Sequence, residues 1–237
     1  MVKNHLSRLN APTSWGIKKK GIKFTTRPSA GAHTLKESLP LSVVVTTLLK
    51  YARTRREVKK ILNEGKIFVN GKVRKDLGFG LGLMDVISVP SVQENYRLFY
   101  NRKGKFTLLA LKEDEKDIRV VQIKNKKVIA HGKTQINNSD GTNLLLDKAG
   151  DYKTGDTLCL SLKDGKIKEH LSLKKGARVY ISGGTKQGVV GTLEEMKEKN
   201  IIVKTEEGNF ETAKRYAFVI GKMHTLEEKW TSWNKFQ

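Results

Sequence analysis

Leu41, Val44, Val45, Leu48, Leu49 and Ala52 recur at steps of three and four, the spacing of one buried helix face. Pro40 suits the first turn of such a helix, because its missing N–H has no intrahelical acceptor there. This predicts a helix ending near Tyr51. Thr54 is followed three residues later by Glu57, the spacing of a reciprocal cap. Val58, Ile61 and Leu62 form a second apolar stripe, and Gly65 supplies a left-handed stop. A second helix is expected between Thr54 and Gly65.

The period then changes. Ile67, Phe68 and Val69 read as a strand, Asn70-Gly71 as a tight hairpin turn, and Val73 as part of the returning strand. Val86 to Val89 closes this module; Tyr96 to Tyr100 and Phe106 to Leu111, separated by a turn at Gly104, form a further hairpin, and the charged run Lys112 to Asp117 marks a linker. From Ile118 onward short apolar runs alternate with the turn dipeptides Asp140-Gly141, Asp164-Gly165 and Gly183-Gly184, a pattern of β structure. A division near Leu171 sets off a terminal segment with strands expected at Ala177 to Ile181, Val189 to Thr192, Ile201 to Thr205 and Tyr216 to Ile220. The fold class is α+β, in four parts: a basic extended arm over 1–40, the helix pair with its sheet and hairpin over 41–111, a central β domain over 112–171, and a terminal β barrel with a tail over 172–237.

Charge narrows the function. In 237 residues, 46 Lys and Arg stand against 24 Asp and Glu, a net charge of +22, which repels itself unless a polyanion neutralises it. Nucleic acid is the expected partner. The opening MVKNHLSRLN has no apolar signal core, and the longest apolar stretch, Leu41 to Leu49, is interrupted by Ser42, Thr46 and Thr47. It is too short to span a bilayer, so a cytoplasmic protein with no membrane partner is expected. Cys159 is the sole cysteine, inside an apolar run, and reads as a core thiol rather than a nucleophile.

Two regions concentrate the cations. From Met1 to Lys36 no acidic residue occurs, while Arg8, Lys18, Lys19, Lys20, Lys23 and Arg27 gather around Trp15. This arm has little periodicity, so its order is expected to come from RNA beneath it, with Trp15 stacking on an unpaired base. Lys50, Arg53, Arg55, Arg56 and Lys59 stand where the first helix ends and the second begins. There, side-chain cations meet the free N–H groups of a helix start, an arrangement that binds phosphate without reading sequence. The alternative for these cations is a solvated face. Arg74 and Lys186 complete the candidate set.

Other signals fail on spacing. Gly132-Lys133-Thr134 lacks the glycine a phosphate-binding loop requires five places earlier, where Lys127 stands. Gly78, Gly80 and Gly82 alternate as in a dinucleotide turn but precede a strand rather than a helix. His5, His33, His131, His170 and His224 are too scattered for a metal set. No nucleophile elbow, cofactor site or small-molecule pocket is expected. Trp230 and Trp233, with Leu226, could form one face of a short docking helix or pack on the barrel.

The run Thr54-Arg55-Arg56-Glu57-Val58 through Gly65, Ile67, Val69, Asn70, Gly71 and Val73 to Asp85 resembles the alpha-L RNA-binding domain of translation proteins. Met84 stands where most alpha-L domains have glycine, and Met84-Asp85-Val86-Ile87-Ser88-Val89 resembles one branch, the archaeal and eukaryotic small-subunit ribosomal protein family S-four-e. His5-Leu6 through Ser14-Trp15, Arg27-Pro28-Ser29 to Leu41, Asn95 to Phe106, and the close Phe218-Val219-Ile220-Gly221 agree with that branch. The terminal segment resembles a KOW motif within a Src-homology-three-like barrel; Gly176, Gly183, Gly184, Gly188 and Gly191 interrupt it, either as tight turns or to let a phosphate chain approach the backbone. The resemblance implies a non-enzymatic structural constituent of the small ribosomal subunit, a single copy held among small-subunit rRNA and neighbouring ribosomal proteins. The alternatives are an RNA-modifying enzyme with an appended alpha-L domain, which requires a catalytic domain, and a transient translation or transcription factor.

Overall fold

A computed structural model describes residues 5–129, 132–147, 150–205 and 208–221. They form two compact units that divide between Lys116 and Asp117. His131, His224, Trp230 and Trp233 lie outside the described residues.

In the first unit the helix pair is present, but its first member is short and wide. Leu41–Val43 is α-helical and Val44–Leu48 continues with π-type turns, Leu49 N–H reaching Val44 C=O five residues back at 2.9 Å, and a wider turn closes the helix where Tyr51 N–H reaches Val45 C=O at 3.1 Å. The cause is local. Val43, Val44, Val45, Thr46 and Thr47 are all β-branched and crowd a regular helix, and the Thr46 hydroxyl donates back to the carbonyls of Ser42 (2.9 Å) and Val43 (3.3 Å), a habit that distorts helices. Lys50 ends the helix in the left-handed region, with φ 59°.

Arg55–Asn63 is a regular helix. Glu57 N–H donates to the Thr54 hydroxyl at 3.3 Å, and the Glu57 carboxylate accepts from the N–H groups of Thr54 (3.4 Å) and Arg53 (2.9 Å), so the expected cap forms in both directions. Val58 and Leu62 are buried, with Ile61 packed at the edge of the same core. The Asn70-Gly71 turn takes positive φ at both residues (48° and 74°) and joins Phe68–Val69 to Lys72–Val73. These strands continue through Val86–Val89 and Glu94–Tyr100 to Phe106–Ala110 in one antiparallel sheet. Gly80–Leu81, within the alternating glycines Gly78, Gly80 and Gly82, is itself a short strand paired with Leu39–Pro40.

Residues 5–40 are folded onto this unit. Leu6–Ser7 pairs with Phe24–Thr25, Arg8–Asn10 and Thr13–Trp15 make single 3-10 turns, and Ala11 and Trp15 belong to the same buried cluster as Leu41, Val44, Val58 and Leu62. The order expected from RNA is supplied here by apolar burial, which the basic composition of the segment concealed.

The second unit contains two five-stranded antiparallel sheets. One runs Asn143–Leu146, Thr134–Asn138, Ile118–Val128, Thr157–Ser161, Ile167–Leu171; the other runs Gly208–Ala213, Asn200–Thr205, Val190–Met196, Arg178–Ile181, Ala217–Val219. Gly208–Ala213 was not expected; as an edge strand with Phe210 as its one large apolar residue, it lacks the alternation that marks a half-buried strand. The Gln122 amide donates to Ala217 C=O at 2.6 Å and Val219 N–H to the Thr157 hydroxyl at 3.2 Å, so polar groups bridge the two sheets; Leu173 N–H donates to the Asp156 carboxylate at 2.9 Å in the segments that flank the first of them. Cys159 is buried in Thr157–Ser161, in keeping with a core thiol.

Candidate nucleic-acid interface

The alternation of buried and exposed residues on Arg55–Asn63 sets the site. Val58 and Leu62 point inward, which turns Arg55, Arg56, Lys59 and Lys60 to solvent; residues three and four apart lie side by side on a helix. Lys50 and Arg53, also exposed, lie on the connection into it. Between Lys50 and Lys60 six cations face one carboxylate, Glu57. Backbone hydrogen bonds from Arg53, then the Thr54 hydroxyl and N–H, hold the Glu57 carboxyl below its ordinary range, so it remains an anion tied to the cap. The cap consumes the N–H of Glu57 and leaves those of Arg55 and Arg56, which by helix geometry have no intrahelical acceptor. Two N–H groups and a ring of guanidinium and ammonium groups thus face the same solvent, a surface suited to phosphate oxygens.

The junction behind the hairpin is rigid. Asn70 donates its amide to Asp85 (2.7 Å) while its carbonyl accepts from Val86 N–H (2.9 Å). Asp85 also accepts from Gly82 N–H at 2.8 Å and faces the His33 imidazole at 3.4 Å. Burial pushes the Asp85 carboxyl up, but the hydrogen bonds and charge of His33, with Asn70 and Gly82, outweigh it and hold the group below the usual aspartate range. Gly82 is required sterically: a side chain there would run into the His33 ring, 2.2 Å from the position of a Cβ.

The arm residues divide. The Trp15 indole is 0% exposed and donates to Ser38 C=O at 2.7 Å, so its expected stacking on a base is corrected: it is a core residue with its N–H satisfied internally. Arg8 donates to Lys18 C=O at 3.1 Å, and the Lys19 ammonium reaches the carbonyls of Arg8 (3.3 Å), Leu9 (3.5 Å) and Ala11 (3.1 Å), so these two brace the arm's own turns. Lys18, Lys20 and Arg27 are exposed. Arg74 is half-buried, its guanidinium 4.5 Å from the Phe79 ring centroid, and that stack uses one face of the group. Lys186 is exposed in the second unit. There the glycines serve packing and turns: Tyr216 fills the side-chain space of Gly183, Val203 and the Lys204 carbonyl fill that of Gly191, and Gly176, Gly184 and Gly188 take positive φ.

Three family models match in succession: the RS4NT (NUC023) domain over 2–36, the S4 domain over 39–87, and Ribosomal family S4e over 92–167. The small ribosomal subunit protein eS4 of Methanocaldococcus jannaschii is 43% identical over 233 residues, covering 92% of this chain and 94% of that protein. The chain belongs to the S4e family of ribosomal proteins. The eS4 protein of Methanocella arvoryzae is 39% identical, covering 94% of this chain and 96% of the relative. The crystal structure of the 30S ribosomal protein S4e from Thermoplasma acidophilum superposes with a TM-score of 0.68 at 30% identity, covering 78% of this chain and 95% of that one.

The S4 match encloses both helices, the hairpin and Asp85, and the RS4NT match covers the folded arm as far as Lys36. Membership in S4e sets aside the modifying-enzyme alternative. Lys60, which the helical period places beside Arg56, joins the exposed cluster, and the exposure of Phe24 depends on strand pairing.

Proposed function

We propose that this S4e chain is a non-catalytic structural constituent of the small ribosomal subunit, holding rRNA through phosphate and shape contacts. The observation that carries the reading is the exposed cluster of Lys50, Arg53, Arg55, Arg56 and Lys59 around the capped start of Arg55–Asn63, within the segment matched by the S4 domain. A compact set of cations at a helix start favours phosphate backbones over base edges, so binding is broad in sequence and steep in salt.

The helix pair acts as an alpha-L module, and the terminal sheet as a KOW barrel that adds basic surface around Lys186. The functional division follows the four parts 1–40, 41–111, 112–171 and 172–237. Lys18, Lys20 and Arg27 extend the contact along the arm, and Arg8 and Lys19 hold the arm in the shape that presents them. The chain works as one copy per subunit in the cytoplasm, beside other ribosomal proteins, without cofactor or small-molecule substrate.

Sedimentation of the tagged full chain through a salt gradient tests this. A structural constituent stays with small subunits at salt that strips transient factors; release at modest salt, or absence from small subunits, overturns the reading.

A further inference from the structure

Leu6 pairs with Thr25 and Ser7 with Phe24. Paired residues of an antiparallel ladder share a face, and successive residues alternate. Leu6 packs against the core of the first unit, so Phe24 and Ser7 project the other way. Ser7 is too small to cover an aromatic ring, and the Phe24 side chain is left 47% exposed. It is the one aromatic among the large apolar residues that are exposed in the described structure. His5, on the same face by alternation, meets it edge-on, with ring centroids 5.4 Å apart and planes at 76°. The Lys23 ammonium lies 5.5 Å from the Phe24 ring centroid.

We propose that Phe24, flanked by His5 and Lys23, is a stacking platform for an unpaired nucleobase of the bound RNA. The inference rests on the rRNA-binding reading above and gives the arm a base-binding residue in place of Trp15. The occupant follows from charge. No acidic residue occurs before Glu37, and Lys18, Lys20, Lys23 and Arg27 are all exposed on the same arm, a surround that suits a polyanion. A flat π face set among phosphate-binding cations is the combination that holds single strands. The Lys23 ammonium lies over one face of the ring, so the base takes the opposite face and Lys23 meets a phosphate beside it. The backbone beneath is fixed, because Arg8 N–H donates to Lys23 C=O at 3.0 Å and continues the ladder.

The test uses the full chain and a fluorescein-labelled 12-nucleotide RNA of mixed sequence, single-stranded or annealed to its complement, titrated by anisotropy across a salt series. Phe24→Leu keeps an apolar side chain on the strand, and its thermal melt should match the parent's. Its affinity for the single strand should fall about tenfold at every salt concentration, with the salt slope and the duplex affinity unchanged; Phe24→Tyr should bind as the parent does. Single-strand affinity equal to the parent's in Phe24→Leu overturns the platform, as does a loss shared by the duplex. If Phe24→Leu binds RNA normally but leaves small subunits at lower salt, the ring meets a protein and the proposal is wrong. These failures leave the parent's salt-dependent RNA binding in place, whereas failure of the rRNA reading removes that binding altogether.

Discussion

The His33 imidazole lies 3.4 Å from the Asp85 carboxylate, with side-chain exposures of 11% and 5%, so a loop of the arm is fastened to the strand junction behind the hairpin by a buried polar contact. Asp85 also accepts from Asn70 and from Gly82 N–H. One carboxylate therefore satisfies a turn, a loop and the arm together.

Removing it leaves three donors without an acceptor. Asp85→Ala should destabilise the first unit by about 3 kcal/mol, read by denaturant unfolding. The effect should depend on pH. The folded Asp85 carboxyl is held below its ordinary value of 3.8, so the folded state binds this proton less tightly than the unfolded chain does. The stability it contributes is fully present above the unfolded value and is lost as pH falls through the folded one. The gap between the parent and Asp85→Asn should narrow as pH falls below the ordinary aspartate value and through the lower folded one; a gap that persists into stronger acid would count against the charge of Asp85.

Met84 takes φ 69° and is 1% exposed, a left-handed conformation occupied by a buried side chain. Strain and burial oppose each other here. Left-handed backbone costs a non-glycine residue about 1 kcal/mol, while emptying a buried methionine site costs about 2 kcal/mol or more. Met84→Gly should be destabilising because burial outweighs strain, yet Met84→Ala should be worse than Met84→Gly by about 1 kcal/mol, since alanine keeps the strain and loses the packing. Thermal melts that rank the two variants the other way would remove strain from the account.

Arg55 and Arg56 hold the exposed end of the second helix. Replacing both by alanine should weaken RNA binding across unrelated sequences and flatten the dependence of log affinity on log salt by roughly 0.7 to 0.9 for each lost phosphate contact. The cap formed by Thr54 and Glu57 remains, so the melt should change little. A variant with the parent's salt slope would show that the helix start is only a solvated face.

Elements built from neighbours were legible in the sequence. The cap at Thr54 and Glu57, the Asn70-Gly71 turn and the inward stripe of Val58, Ile61 and Leu62 each depend on residues within a few places of one another. The first helix was legible as a stripe, but its widened turns come from the back-bonding of Thr46 within a β-branched run, which apolar spacing does not encode. The second helix's cations could be assigned to solvent for the same reason as its core: one period fixes both faces.

Trp15 shows where that reasoning ends. Its N–H is satisfied by Ser38, 23 residues away, and its core neighbours Leu41, Val58 and Leu62 are as distant or more so, so nothing local distinguishes a tryptophan that fills a core from one that waits for a base. Phe24 is the converse, turned outward because its strand pairs with Leu6–Ser7 in one register; a shift of one residue would exchange its face with that of Thr25.

The sequence by itself determined the polyanionic partner, through a net charge of +22, and the position of the cationic helix start, through the 3.6-residue period. Tertiary structure decided what the arm residues do: Trp15, Arg8 and Lys19 make hydrogen bonds within the arm's own fold, while Lys18, Lys20, Arg27 and Phe24 are exposed. Charge and period are carried by short stretches of chain, whereas burial is a relation between segments far apart in sequence, which only the folded chain brings into contact.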